Sequence, residues 1–142
     1  MRIRDALESD ADALAAVIDR PRGVVVDMIH DRSVRVAVSD VDRGVDTDAD
    51  EPSVAGFLAF DVRGRTVHVT DFGGDEPAVQ RLFEEPRRFA SGESMAVEAV
   101  VPNDEDIGEI VESVGFNSVG AGPRFADRET TRYRIESEKL TD

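Results

Sequence analysis

The sequence predicts an α/β fold, one mixed and curved β-sheet of about seven strands with helices on both faces. Three observations lead there. Seven segments of strand length alternate apolar with polar residues or run apolar outright. Stripes at helical spacing interrupt them. A glycine-centred hairpin in the middle is followed by helix crossovers, which demands both antiparallel and parallel neighbours. A chain of 142 residues is one domain's length, and a single domain over residues 1–142 is expected. A domain of this size buries roughly 68–70% of its unfolded surface, so a full core needs no staples.

Residues 2–6 read as the first strand. Ser9 then opens a helix, with Asp12 three residues on in a capping-box pattern and Leu14, Val17 and Ile18 as the apolar stripe. Pro21 ends that helix or starts another. Val24-Val25-Val26 suits a strand, but Val25, Met28 and Ile29 fit one helix face. The reading adopted for 22–31 is a short second helix. Val34, Val36 and Val38 alternate with Arg35, Ala37 and Ser39 as a half-buried strand. Residues 40–53, acidic and broken by Gly and Pro, read as a long exposed loop or a disordered insert. Residues 54–62 are a strongly apolar strand, Arg63-Gly64-Arg65 a tight turn, and 66–72 the hairpin's second strand.

Asp75 caps a third helix with Glu76 and Pro77 in its first turn, where an acid and a proline are both favoured. Val79, Leu82 and Phe83 face inward, and Pro86 ends or kinks that helix. Residues 94–101 are almost continuously apolar, as in a strand covered on both faces. Asn103 or Asp104 caps a fourth helix striped by Ile107, Ile110, Val111 and Val114. Gly115 stands at its left-handed C-cap, with Phe116 packing back. Residues 117–125 and 130–136 close the chain as a hairpin, alternating best at Thr131, Tyr133 and Ile135.

Charge narrows the function classes. Thirty-one acids against 17 bases leave a net charge of −14. Nucleic-acid backbones and anionic membrane surfaces are repelled by such a protein. Lys139 is the only lysine among those 17 bases. This acid-rich, lysine-poor composition resembles that of salt-accumulating archaeal proteins, and self-repulsion of this size predicts a fold that salt strengthens. There is no cysteine, so disulfides, thiolate zinc sites and a cysteine nucleophile are excluded. Met1-Arg2-Ile3-Arg4-Asp5 has no apolar signal core and no apolar run reaches the ~20 residues of a membrane span. A cytoplasmic protein, monomer or homodimer, is expected.

Three stretches, taken in order, resemble the GNAT family of N-acetyltransferases. IRDALESDADALAAVID is similar to that family's first strand and helix, VEAVVPNDEDIGEIVESVGF to its fifth strand and following helix, and TTRYRIE to its last strand. The resemblance covers nearly the whole chain. It implies an acetyl transfer from acetyl-CoA to a small-molecule amine, with the donor between the fourth and fifth strands. It also implies that backbone of Val69 and Asp71 aligns the pantetheine arm while Gly73 and Gly74 face the phosphates. The family's phosphate loop has a Val, an Arg or Gln, two Gly positions and a Leu pair. Val69 and Leu82-Phe83 match the ends, but Gly74, Pro77 and Val79 fill the Arg and Gly positions. Pro77 has no N–H to donate, and Val79 adds bulk where backbone must approach closely. The usual acid, a Tyr four residues before the Gly-Phe glycine, is Val111 here. The alternative implied by these departures is a non-catalytic module that binds a small molecule or a protein partner.

Glu98, mid-strand among Ala96, Val97, Ala99 and Val100, is the candidate base for the amine proton, because desolvation raises a carboxyl toward the useful range. The alternative for Glu98 is a carboxylate whose head reaches solvent or pairs with an arginine. His68, between Val67 and Val69, is the alternative base. Tyr133, the one tyrosine, lies in the last strand, as a core residue or near the cleft. Asp40, Asp42, Asp46, Asp48 and Glu51 match a calcium loop's ligand spacing in part, but Val45 stands where its turn glycine is needed. No metal site is therefore expected. There is no Walker loop, no GxSxG elbow and no HExxH.

Overall fold

The computed structural model describes residues 2–18, 20–39, 53–103, 107–124 and 127–136. Its elements run β1 (Arg2–Asp5), a 3₁₀ turn (Glu8–Asp10), α1 (Ala11–Ile18), α2 (Arg22–Asp31), β2 (Ser33–Ser39), β3 (Ser53–Arg63) and β4 (Thr66–Gly74). They continue with α3 (Glu76–Leu82), α4 (Glu84–Glu93), β5 (Ala96–Pro102), α5 (Ile107–Ser113), β6 (Asn117–Ala121) and β7 (Thr130–Ile135). The seven strands form one curved mixed sheet, hydrogen-bonded in the order β1-β2-β3-β4-β5-β7-β6. β4 and β5 are parallel, whereas β1–β2, β5–β7 and β6–β7 are antiparallel. The acidic stretch expected at 40–53, and its partial calcium pattern, lie outside the described residues except for Ser53. Among the described residues no helix is long and apolar enough to cross a membrane. The chain packs as two compact units, Met1–Ala59 with Asp71–Leu82, and Phe60–Thr70 with Phe83–Asp142.

In the first unit β2 carries Val34, Val36 and Val38 into a core with Leu14, Val25, Met28 and Phe57. Burial of each such side chain stabilises by about 1.5–3 kcal/mol. The helix over 22–31 is present, and it buries Val25 and Met28. Pro21 is its N-cap, where a missing N–H costs no helical bond. The capping expectation at Ser9 is corrected. Asp10, only 3% exposed, folds back so that Leu7 N–H donates to its carboxylate at 2.7 Å. The Arg4 guanidinium grips the same carboxylate twice, at 2.8 and 3.0 Å. A buried bidentate pair is stronger than the single bond an exposed serine offers.

In the second unit α4 is an addition to the expected order. α3 stops at Leu82, so Pro86 neither ends nor kinks it. It lies in the first turn of α4, where its missing N–H breaks no bond. The end of α5 follows its residues closely. Gly115 takes φ +104°, its N–H donates to Glu112 O, and Phe116 N–H donates to Val111 O. Those two bonds are a Schellman motif. Phe116 is buried edge-on against Phe83, ring centroids 5.6 Å apart. β5 departs from the uniform coverage its apolar run implies. Val97, Ala99 and Val101 are buried, while Glu98, Val100 and Pro102 are half-buried. One face of β5 is core, and the other carries polar chemistry.

Candidate functional site

The polar face of β5 assembles by register. His68 on β4 pairs with Glu98 on β5, Glu98 with Arg134 on β7, and Arg134 with Asn117 on β6. Paired residues share a face, so His68, Glu98, Arg134 and Asn117 form one row across four strands. One row further along the same face, Val100 pairs with Arg132. The Glu98 side chain is 14% exposed, and its Oε2 accepts from Arg134 Nη1 at 2.5 Å and Arg132 Nη2 at 3.4 Å. Arg134 Nε also donates to Glu136 at 2.5 Å. These two partners hold the Arg134 guanidinium firmly charged, Glu136 first and Glu98 after burial's opposing effect. Glu98 and His68 are thus brought into one row. Arg132 and Arg134, which the sequence reading did not single out, complete it. Their signal was the alternation of arginines in TTRYRIE, opposite a lone strand glutamate.

Val69 ends the parallel ladder, which runs from Thr66↔Ala96 to Val69↔Ala99. Val69 and Ala99 are buried. The Asp71 carboxylate receives the Arg32 guanidinium at 2.5 Å.

Gly73 and Gly74 serve the contact between β4 and β3. A Cβ on Gly74 would collide with Gly56 Cα and the Ala55 carbonyl, and its φ of +121° suits glycine alone. A Cβ on Gly73 would fall 3.2 Å from the Phe57 ring. The next amide, Asp75 N–H, donates to Ala55 O at 2.9 Å, and Val79 N–H donates to Asp75 O at 2.9 Å. Pro77 has no N–H. No partner is described for the amides of Glu76 and Ala78, which lie beside the exposed side chains of Asp75 and Glu76. With Pro77 lacking an N–H, the amides of Asp75 and Val79 occupied and two carboxylates exposed, this junction fits a pyrophosphate poorly.

On the core face, Val111 of α5 is fully buried and offers no hydroxyl. Tyr133 is buried nearby in the same unit. A Cβ added to Gly108, one turn before Val111, would fall 2.6 Å from the tyrosine oxygen. The phenol therefore lies against the α5 backbone, and burial, with Glu112 second, raises its pKa. The glycine at 108 was not read from the sequence as making room for a phenol.

This fold matches the GNAT fold of solved N-acetyltransferases. The chain aligns with the ribosomal-protein-S18-alanine N-acetyltransferase of Escherichia coli at TM-score 0.72 and 12% identity, over 94% of this chain and 92% of that one. A PaiA N-acetyltransferase from Thermoplasma acidophilum, solved in complex with coenzyme A, aligns at TM-score 0.69 and 10% identity, over 94% and 98%. A GNAT-family acetyltransferase from Streptococcus agalactiae 2603 aligns at TM-score 0.68 and 12% identity, over 94% and 93%. Identities this low establish the fold alone. No family model matches the sequence, and no curated protein matches it.

Proposed function

We propose that the chain is an N-acyltransferase that passes an acyl group from a coenzyme A-type thioester to a small-molecule amine. The observation that carries this reading is the fold itself, aligned end to end with N-acetyltransferases. The parallel β4–β5 ladder supports it by ending at Val69 and Ala99, with the polar row one residue back. In the reaction the amine nitrogen forms the new C–N bond and the thioester C–S bond breaks. The sulfur leaves with the electron pair and takes up a proton as thiol. The amine's own proton goes to His68, which is half-buried one residue before the ladder's end. An imidazole changes charge nearer neutral pH than a carboxylate does. Glu98 is the less apt base, because two guanidinium contacts already fall on its Oε2. Its role is to fix the row that orients the acceptor. No step in this reading runs through the nucleotide of coenzyme A.

A second reading is a GNAT-fold module without catalysis that holds a small molecule or a protein. Buried Val111 in the tyrosine position and the occupied amides at Asp75 and Val79 favour it. Thiol release from an acetyl thioester, measured against a panel of amines in molar KCl, separates the two. The acyltransferase reading expects turnover with at least one amine, and a loss of about 10²–10⁴-fold on His68→Gln. Thiol release at the blank rate with every amine leaves the second reading standing.

A further inference from the structure

We infer that this chain recognises its acyl donor by the pantetheine thioester alone, with no hold on the nucleotide diphosphate of coenzyme A. The inference rests on the acyltransferase reading and names its donor class. Four observations at the β4–α3 junction carry it. The Cβ side of Gly73 and Gly74 is filled by Phe57, Ala55 and Gly56, so on that side these glycines serve strand contact. The amides of Asp75 and Val79 are spent on Ala55 and on Asp75 itself, and Pro77 has none. α3 has only seven residues, so little helix dipole is directed at an anion. The side chains of Asp75 and Glu76 are exposed at the same place and meet no described cation.

The electrostatics point the same way. A phosphate approaching this junction meets two carboxylates on a chain of net charge −14. A pantetheine thioester is uncharged and meets none of that repulsion. The chemistry transferred is identical in the two donors, because the reacting carbon and sulfur are the same. Only the nucleotide differs, and the two exposed carboxylates of this junction oppose its phosphates.

Calorimetry in molar KCl with acetyl-CoA, S-acetylpantetheine and S-acetyl-4′-phosphopantetheine tests this. The expected result is three dissociation constants within about threefold of one another. At low salt the two phosphorylated donors should weaken relative to S-acetylpantetheine, since screening of the carboxylates is lost. Acetyl-CoA binding about thirtyfold or more tighter than S-acetylpantetheine overturns the inference while upholding an acyltransferase. Absence of heat from all three donors at about 10 mM overturns the acyltransferase reading, and the inference with it.

Discussion

Asp10 shows how one residue can set a local structure. Its carboxylate joins β1 to the first helical turn through Arg4 and the Leu7 amide. Asp10→Asn leaves the Arg4 guanidinium beside a neutral amide and should lower unfolding free energy by about 2–3 kcal/mol. The Arg4 hydrogen bond is the first cause of a depressed Asp10 pKa, with the Leu7 amide adding to it. A carboxyl depressed on folding contributes its full stability above its unfolded value of about 3.9 and loses it as pH falls through the folded value. Wild type should therefore lose more stability than Asp10→Asn across that acid window, measured by denaturant midpoints at stepped pH. Parallel loss in both proteins would remove Asp10 from the account. At Glu98 the expected outcome separates structure from chemistry. Glu98→Gln weakens the cross-strand row by about 1–2 kcal/mol, since the arginines are partly solvated, and lowers turnover less than His68→Gln does. A larger turnover loss at Glu98 than at His68 would return the base role to Glu98.

Glycines within single elements give the sharpest contrast. Gly74→Ala places a Cβ into Gly56 and Ala55 at a positive φ, and should cost about 3 kcal/mol. Gly23, inside α2, has nothing within 4 Å of an added Cβ. Gly23→Ala should therefore stabilise by about 0.5 kcal/mol through helix propensity. Thermal melts of both variants check the pair, and equal shifts would show that the close approach at Gly74 is not tight. Elements were readable from the sequence where the cause is local. Gly115-Phe116 spelled the end of α5, and Val25, Met28 and Ile29 spelled α2. α4 was not readable, because EEPRRFASGE offers only Phe89 and Ala90 as an apolar signal and Pro86 suggests a stop. The roles of Gly73 and Gly74 were hidden for a related reason. Their contact with the neighbouring strand depends on Gly56, seventeen residues from Gly73 and eighteen from Gly74 in the chain. The polar row was half readable. His68 and Glu98 stood out as polar residues in apolar strands, but their alignment with Arg134 is set by the β5–β7 register.

At the scale of the whole molecule, charge is the dominant physical fact. With −14 on 142 residues, intramolecular repulsion opposes compaction in dilute buffer. At about 1 M salt the Debye length falls to roughly 3 Å and most of that repulsion disappears. The denaturant midpoint should thus rise steadily from low salt to molar KCl, and a flat or falling midpoint would contradict the reading of the composition. The same charge joins fold to function, since it disfavours phosphate-bearing ligands at the acidic β4–α3 junction while leaving the ladder end at Val69 and Ala99 apolar. The most direct test of the account is an amide NMR titration of the ¹⁵N-labelled protein with acetyl-CoA in molar KCl. The account predicts that the amides of Val69 and Ala99 shift in a saturable way while those of Glu76 and Ala78 stay in place. Shifts centred on Glu76 and Ala78, or none at Val69 and Ala99, would contradict it.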